Sequence, residues 1–470
     1  MNLPASISGI FGRTGEIVSD DQIVRIEASG VLNEFDYCIT FDDEVGEGRL
    51  AVIYAENGRG KTNLLRAISF LLTPTMESIE TLIEVPVQHI AIQFASGGVI
   101  SMVREDAFRG SLRLKVSSIP SVVFQDDESS AEMFGLEEEA ELIEREFTVE
   151  ASDFAGRLYR RALEDRREFL EYMNLAARQS SGALFIGDTR LAVPVGEEVS
   201  SESIGRSISR RPRSMVSRLL EQAERTLSRA AFEGLKRDSS GQGVYVDIAK
   251  RTLLARSGPS ISNTDAYESM VEQISRIERS GALHENYGLI SLRQVRGISQ
   301  LLSTARRNGA NNATLHSILN PFLVNIESQI ETLYPAVRQI DTFVAGVNKF
   351  LERKELVYST NGGIELRDGA ARLLDPDSLS SGERHLLALM CHAVISTASA
   401  PLMIIDEPEI SLGLDWQRML LAELLNVTAD SQVKILAASH SVQVMGVVPH
   451  NKIIQPTEVG GEIDAVSDGR

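Results

Sequence analysis

The strongest chemical signal in the sequence is a glycine-rich turn that joins an apolar run to a helix-forming segment. The turn reads AENGRGKT over residues 55–62, which is the phosphate-binding loop pattern with alanine at the first glycine position. Glycines let successive backbone N–H groups face phosphate oxygens, and the amino end of the next helix adds a positive field. Lys61 is suited to contact the β- and γ-phosphates, and the Thr62 hydroxyl is suited to ligate magnesium. The pattern predicts a triphosphate site, provided that position 55 needs no positive φ.

The second signal is a pair of adjacent carboxylates at the end of an apolar run. The run reads LMIIDE over residues 402–407 and is typical of a buried strand. One carboxylate at this place suits the coordination shell of magnesium, and the adjacent one suits orienting or deprotonating an attacking water. A strand that ends in two solvated carboxylates is common by itself, so the functional interpretation depends on the phosphate loop in the same chain.

The third signal is a serine-glycine turn before a helical segment. The run LSSGE covers residues 379–383, and Ser380 followed three residues later by Glu383 forms a capping-box pattern. The same geometry would present helix N–H groups and a serine hydroxyl to a phosphate. The sequence leaves both interpretations open.

The fourth signal is a histidine at the end of another apolar run. The run KILAASHS covers residues 434–441 and places His440 after a predicted strand. One histidine in such a position indicates no function by itself. It gains interest from the order of the four signals along the chain.

The segments around these signals predict how they are positioned. Strand candidates and one helix, at Asn63–Leu72, lie between residues 22 and 116, the centre of the chain shows helical periodicity, and strand patterns return near the end. We therefore expect an α/β unit that is divided by a mainly helical insertion. The expected boundaries are a first lobe at 1–130, an insertion at 131–354 and a second lobe at 355–470.

A heptad pattern marks the last helical stretch of the insertion. Apolar residues recur in steps of three and four at Leu319, Leu323, Ile326, Ile330, Leu333, Val337, Ile340, Val344, Val347 and Leu351. This spacing favours a left-handed helix–helix seam, either in a short coiled-coil arm or in one long helix of a bundle. Pro335 is expected to kink or restart the helix, because it removes a backbone donor.

Composition limits the surface chemistry and the compartment. The 470 residues carry 47 basic and 66 acidic side chains, a formal net charge of −19. This balance argues against a broadly basic nucleic-acid coat but leaves room for a local basic patch. Two cysteines do not make a disulfide framework, and no apolar run is long enough to span a membrane. We expect a cytoplasmic protein without a membrane partner.

The order of the motifs resembles the head of ABC-class ATPases. In that family AENGRGKT, LSSGE, LMIIDEPE, SLGLD and ASHS correspond to the Walker A loop, signature motif, Walker B strand, D-loop and H-switch. The residues that flank these motifs are most similar to those of the RecF/SMC/OLD-like branch of the family. The resemblance covers residues 22–125 and 355–456 and says little about the insertion. It implies an ABC-type P-loop ATPase head with ATP and Mg²⁺ as cofactors.

The resemblance implies roles for the residues of the first two motifs. Nucleotide contacts are implied at Asn57, Gly58, Arg59, Gly60, Lys61, Thr62 and Asn63. Thr62 and Asp406 would hold magnesium. Glu407 would be the catalytic base, and His440 would sense the γ-phosphate.

Other residues are implied to act between two copies of the head. The signature motif contributes Ser380, Ser381 and Gly382. These residues would contact a γ-phosphate held by a second subunit, and Asp415 would lie at that junction. Closing the site in this way links ATP binding to formation of a homodimer or higher oligomer. For the glutamine between the lobes, Gln125 is the candidate and Gln93 the alternative.

The sequence leaves three functions open. The preferred one is an ATPase subunit of a bacterial antiphage system, since the IIDEPEISL wording and the helical insertion resemble AAA-type subunits of Septu or PARIS systems. The 30 residues after His440 are too few for a Toprim nuclease domain, so we expect a separate nuclease or toxin as the effector. The alternatives are a RecF- or SMC-like ATPase acting on DNA, which the heptad seam and arginine clusters favour, and a slowly hydrolysing nucleotide-gated scaffold.

Overall fold

The chain forms two compact units in the computed structural model. The structure describes residues 21–41, 48–118, 143–149, 166–180, 182–187, 214–237, 263–307 and 312–459. The first unit comprises Met1–Arg190, Ser399–Ile410 and Gln432–Arg470, and the second comprises Leu191–Ala398 and Ser411–Ser431.

The elements follow one another in an order that begins and ends with strands. Up to the end of the central region they are β1 (Ile23–Val31), β2 (Phe35–Thr40), β3 (Leu50–Tyr54), α1 (Lys61–Leu72), α2 (Met76–Glu84), β4 (His89–Phe94), β5 (Val99–Val103), β6 (Leu112–Ser118), β7 (Ile143–Val149), α3 (Arg166–Gln179), β8 (Ala183–Ile186), α4 (Met215–Arg237), α5 (Asn263–Asn286), α6 (Arg293–Arg307) and α7 (Asn312–Asn348). They continue with β9 (Lys354–Ser359), β10 (Gly363–Asp368), α8 (Ser381–Ser399), β11 (Leu402–Asp406), α9 (Leu414–Val427), β12 (Lys434–Ser439), α10 (Val442–Met445), β13 (Ile453–Ile454) and β14 (Thr457–Glu458).

A parallel sheet lies at the centre of the first unit. Within the described residues its strand order is β13-β3-β12-β11-β8. The strands β11 and β12 are buried along their whole length, as expected for parallel strands covered on both faces. The register pairs Asp406 with Ala438 and Ser439 with Tyr54. The carboxyl ends of β3, β11 and β12 therefore meet at one edge of the sheet.

An antiparallel sheet completes the first unit. Its order among the described strands is β14-β2-β1-β4-β5-β6-β7. Burial alternates along β2 and β6, in agreement with the period-two pattern of the sequence. Apolar side chains of both sheets and of α1, such as Ile26, Leu64 and Ile404, form one hydrophobic core. This packing fixes α1, and with it the turn that precedes the helix.

Part of the range predicted as an insertion belongs to the first unit. The strand β8 pairs in parallel with β11, with Leu402 opposite Ala183, and β7 pairs with β6. The helix α3 contributes buried residues such as Tyr172 to the same core. Two strands between residues 143 and 186 therefore extend the two sheets of this unit, and one helix between them adds to its core.

The second unit is mainly helical around the long helix α7. The heptad residues Leu323, Ile330, Val337 and Ile340 are buried, and α7 packs against α4 and α5 of the same chain. The seam is thus filled within a helical bundle. The helix continues through Pro335 instead of restarting there. The proline is exposed, while buried side chains on either side of it hold both halves of the helix in the core.

The architecture confirms the predicted fold class. The first unit is an α/β head of the P-loop type, and a mainly helical segment separates Met1–Arg190 from the two later parts of its sequence. Across the described residues, we find no helix with the length and apolar character needed to cross a membrane.

Candidate functional site

The glycine-rich turn has the backbone geometry of a phosphate-binding loop. It joins β3 to α1, and both Gly58 and Gly60 have positive φ, 87° and 77°. A Cβ at Gly60 would also lie 2.5 Å from Val31 Cγ1, so glycine is required there for two reasons. Ala55 is not among the residues with positive φ. The alanine therefore fits the first position of the loop without strain.

Lys61 points back into the loop that precedes it. Its Nζ atom donates hydrogen bonds to the carbonyl oxygens of Ala55 at 2.5 Å and Glu56 at 3.1 Å. The residue is only 6% exposed, and this burial lowers the pKa of its ammonium group. The carboxylates of Glu407, Asp406 and Glu409 act in the opposite direction on this pKa. The loop thus holds a positive charge at the position where phosphate oxygens are expected.

Thr62 and Asp406 are in direct contact although they lie far apart in the sequence. The Thr62 hydroxyl donates to Asp406 Oδ2 at 2.6 Å. Asp406 is the last residue of β11 and is 3% exposed. A hydroxyl and a carboxylate are the oxygen donors that Mg²⁺ prefers, and Mg²⁺ typically combines one or two such groups with substrate phosphates. The pair fits the predicted magnesium position.

Glu407 and His440 face each other at the ends of neighbouring strands. Glu407 has a φ of 49°, and its N–H donates to the carbonyl oxygen of Ala438 at 2.8 Å. Its Oε1 atom lies 3.4 Å from His440 Nδ1. The His440 side chain is about half-exposed. The structure therefore brings the predicted base and the predicted γ-phosphate sensor to the same sheet edge.

Two supporting residues were not singled out from the sequence. Glu409 lies in the loop after β11 and contacts the residues around His440. Its only sequence signal is its place as the third carboxylate in IIDEPE. Tyr37 of β2 donates its hydroxyl to the Arg59 carbonyl oxygen at 2.6 Å. Burial raises the pKa of Tyr37 to about 12, so the hydroxyl stays a donor at neutral pH.

The remaining residues of the loop lie at its surface. Asn57 and Gly58 are exposed, and Arg59 and Asn63 are partly buried. The Arg59 guanidinium lies 5.2 Å from the centre of the Phe35 ring. The loop therefore presents a second cation in addition to Lys61.

The signature residues lie in the second unit, at the amino end of α8. The Ser380 N–H donates to Glu383 Oε2 at 2.7 Å, and the Ser380 hydroxyl accepts from the Glu383 N–H at 3.3 Å. This is the capping box that the sequence indicates. Ser381, the first residue of α8, is exposed. A Cβ at Gly382 would lie 2.6 Å from the Ser411 carbonyl oxygen, so this glycine also permits close packing inside the unit.

The remaining predicted positions are Asp415 and the glutamine between the lobes. Asp415 lies in the first turn of α9 with a side chain that is 91% exposed, 3.8 Å from Arg418. Gln125 falls outside the described residues. The alternative, Gln93, is in β4 between Arg25 and Val99 of the adjacent strands. The first unit thus gathers Lys61, Thr62, Asp406, Glu407 and His440, whereas the signature residues and Asp415 belong to the second.

One protein-family model matches part of the chain. Residues 301–446 match the model of a family described as AAA domain, putative AbiEii toxin, Type IV TA system. None of the curated proteins is detectably similar. The solved structures that match include a Smc head domain with an extended coiled coil from Pyrococcus furiosus, bound to the C-terminal domain of ScpA, with 12% identity and a TM-score of 0.39 over 93% of this chain and 96% of that chain. Another is a Smc head domain with a coiled coil and joint from Pyrococcus yayanosii, with 13% identity and a TM-score of 0.36 over 93% and 97%.

The loop geometry and the matched family model agree on the general class of the site. A strand, a phosphate-binding loop and a helix are joined in the required order, and the carboxylate of Asp406 lies beside the loop threonine. The family model describes an AAA domain over residues that include β11 and β12. The site is that of an ATP-binding P-loop ATPase domain.

Proposed function

We propose that the protein hydrolyses ATP in a composite site formed by two copies of the chain and thereby controls a separate effector, a nuclease or toxin, in bacterial antiviral defence. The observation that carries the ATPase part is the 2.6 Å contact between Thr62 and Asp406. It joins the phosphate loop to the strand end that also presents Glu407. Nucleotide, metal and attacking water would then meet at one sheet edge.

The roles of the residues in hydrolysis follow from their positions. Lys61 exchanges its contacts with the loop carbonyls for phosphate oxygens and neutralises their charge. Thr62 and Asp406 would hold Mg²⁺, which when bound supplies charge neutralisation and orientation of the phosphates. Glu407, on the turn after β11, accepts the proton of the attacking water. His440 contacts the γ-phosphate from the end of β12.

Self-association is supported by the exposure of the signature region. Ser380, Ser381 and Asp415 are exposed, and the amino end of α8 offers N–H groups to an anion. In the proposal these groups contact the nucleotide of a second copy. ATP binding then favours the associated state by mass action, and hydrolysis resets it.

The defence role is supported by the description of the matched family, which names a toxin of a Type IV TA system. The proposal assigns the toxic or nucleolytic step to another chain. It predicts that cells expressing this protein with its neighbouring genes form fewer phage plaques. The Lys61→Ala variant should restore plaque numbers, and an equal reduction by that variant would contradict ATP-dependent control.

A DNA-repair or chromosome role is the competing function. The long helix α7 and the arginine-bearing helix α4 are the features that favour it. On α4, however, Arg229 already pairs with Glu233 at 2.9 Å, as is common for a solvated face. Duplex DNA affinity measured at several salt concentrations, with and without ATP, separates the two functions. Tight, ATP-dependent binding with a steep salt dependence would favour the DNA role.

Nucleotide binding and hydrolysis test the ATPase proposal itself. Purified protein should bind a fluorescent ATP analogue and release phosphate in a Mg²⁺-dependent reaction. Light scattering should show a larger mass in ATP than in ADP. A monomeric protein that binds no nucleotide would contradict the proposal, whereas a nucleotide-dependent dimer with hardly any turnover would favour the scaffold alternative.

A further inference from the structure

The proposed reaction assigns no role to Glu409, the second glutamate in the loop after β11. Glu409 lies two residues after Glu407, and its side chain is 5% exposed. Its Oε1 atom accepts hydrogen bonds from the Ser439 hydroxyl at 2.7 Å, the His440 N–H at 3.0 Å and the Ser441 N–H at 3.2 Å. One carboxylate oxygen thus holds three consecutive residues at the end of β12.

The same oxygen also faces the histidine ring. His440 Nδ1 lies 3.3 Å from Glu409 Oε1 and 3.4 Å from Glu407 Oε1. The in-plane directions of the two imidazole nitrogens diverge, so with Nδ1 facing the carboxylates Nε2 is the nitrogen that the proposal assigns to the phosphate group. Glu409 therefore acts on both the backbone and the ring of His440.

The backbone around Glu407 explains how Glu409 reaches this position. The Glu407 N–H continues the pairing of β11 with β12 through the Ala438 carbonyl oxygen. The chain then turns at the positive φ of Glu407, and the Ile410 N–H closes the turn on the Glu407 carbonyl oxygen at 3.3 Å. This turn carries Glu409 back to the end of β12. The ends of β11 and β12 are thus joined by the backbone of Glu407 and by the side chain of Glu409.

We propose that Glu409 is the positioning residue of the H-switch, which fixes His440 relative to Glu407. It contacts no reacting atom in this assignment and acts through His440. The inference rests on the proposed ATPase function, because it concerns the geometry of the same site. A role limited to fold stability would require no coupling between Glu409 and His440 in turnover.

The test is a set of single and double variants measured by steady-state and single-turnover hydrolysis. Glu409→Ala removes the acceptor and should lower kcat about a hundredfold, since small displacements of a reacting group have effects of that size. Its KM for ATP should stay within about threefold of the wild-type value, because the phosphate loop is untouched. Glu409→Gln keeps an oxygen acceptor but loses the charge, and should lower kcat about tenfold.

Coupling to His440 distinguishes positioning from stability. In Glu409→Ala/His440→Ala, kcat should fall no more than about twofold below that of the slower single variant, since residues that act as a unit are not additive. If Glu409→Ala does not fold, the same comparison with Glu409→Gln replaces it. Effects that multiply in the double variant would overturn the proposal, as would a change confined to KM or to the melting temperature.

A matched control and the wild-type rate separate this inference from the function on which it rests. Glu423 is another buried glutamate, paired with Lys349 at 2.6 Å in the second unit. Glu423→Gln should leave kcat within about twofold of wild type. A wild-type protein without ATP hydrolysis would overturn the proposed function and this inference with it. Wild-type hydrolysis with unchanged kcat in both Glu409 variants would overturn the inference alone.

Discussion

The two motif regions of the molecule are each organised by a buried glutamate, and the two glutamates have different kinds of partner. In the first unit Glu409 accepts hydrogen bonds from three consecutive residues around His440. In the second unit Glu383 accepts the Ser380 N–H at 2.7 Å and pairs with Lys354 at 2.8 Å. Both carboxylates fix backbone groups, but the charged or titratable side chain beside each one differs, a histidine beside Glu409 and a lysine beside Glu383.

The difference shows which groups of each motif region remain exposed and can contact a ligand or a partner. Burial raises the pKa of Glu383, but its hydrogen bonds with Lys354 and Ser380 outweigh this effect and hold the pKa below its usual value. All of these partners belong to the fold of the second unit. Ser380 and Ser381 at the helix end remain exposed there, and the proposal assigns this surface to a second copy of the chain. Around Glu409, by contrast, the half-exposed His440 ring itself remains available.

The largest effect is expected from removing the cation of the phosphate loop. Lys61→Ala should weaken ATP binding about a hundredfold or more, because it removes a buried charge aimed at the phosphates. Fluorescence titration with an ATP analogue measures this change. Arg59→Ala removes the other cation of the loop and should weaken binding less, since the Arg59 side chain is more exposed and stacks on Phe35. Equal losses in both variants would contradict a special role for Lys61.

A steric change in the second unit should have the next largest effect. Gly382→Ala would place a Cβ 2.6 Å from the Ser411 carbonyl oxygen and should lower the free energy of unfolding by about 1–3 kcal/mol. The control is Gly413→Ala, because a Cβ there meets no atom within 4 Å. Urea unfolding followed by circular dichroism measures both. A Gly382→Ala protein as stable as the control would show that Ser411 moves away from α8 at little cost.

The ion pair of Glu383 predicts a dependence of stability on pH. Its pKa is lower in the folded chain than in the unfolded chain. The stabilisation is therefore complete above the unfolded value of about 4.3 and is lost as the pH falls through the folded value. Glu383→Gln should lower the free energy of unfolding by about 2 kcal/mol at pH 7, and this difference from wild type should shrink below pH ~4.

Urea unfolding of wild type and variant between pH 3 and 7 checks this sign. Glu355→Gln, at an exposed glutamate of β9, is the control and should change stability by less than about 0.5 kcal/mol at every pH. If the difference in free energy of unfolding between wild type and Glu383→Gln widens as the pH falls, the lowered pKa of Glu383 is contradicted.

The smallest effect on stability is expected at the proposed subunit junction. Asp415→Ala should change the free energy of unfolding by less than about 0.5 kcal/mol, because the side chain is 91% exposed and its ion pair with Arg418 is long. In the proposal it nevertheless weakens ATP-dependent association, which sedimentation measures. Arg418→Ala breaks the same ion pair and serves as the control. Unchanged association in Asp415→Ala would remove this residue from the junction.

Residue types alone were enough to predict the parts of the site that depend on local backbone. The glycines at 58 and 60 indicate the loop, and both have the positive φ that only glycine adopts freely. The Ser380 and Glu383 spacing indicates the capping box, and both of its hydrogen bonds form. In these cases the interacting groups lie within four residues of each other.

Local residue types and spacing could not predict the contacts between distant segments. Glu409 and Ser439 meet only because β11 and β12 are parallel neighbours, and no local spacing indicates that pairing. The strand β8 is a short run inside the range predicted as a mainly helical insertion, and it is recognisable only by its place beside β11. Pro335 predicts a kink or a restart by its own chemistry, but the helix continues through it with Leu333 and Val337 buried on either side.

The most direct test of the account is single-turnover hydrolysis by Glu407→Gln under conditions in which the wild-type protein turns over. We expect ATP affinity within about threefold of wild type and a hydrolysis rate lower by about a thousandfold, since the variant keeps the shape of the site but loses the base. We also expect the variant to accumulate as an ATP-bound associated species. Normal turnover by Glu407→Gln would contradict the assignment of the base and, with it, the proposed mechanism.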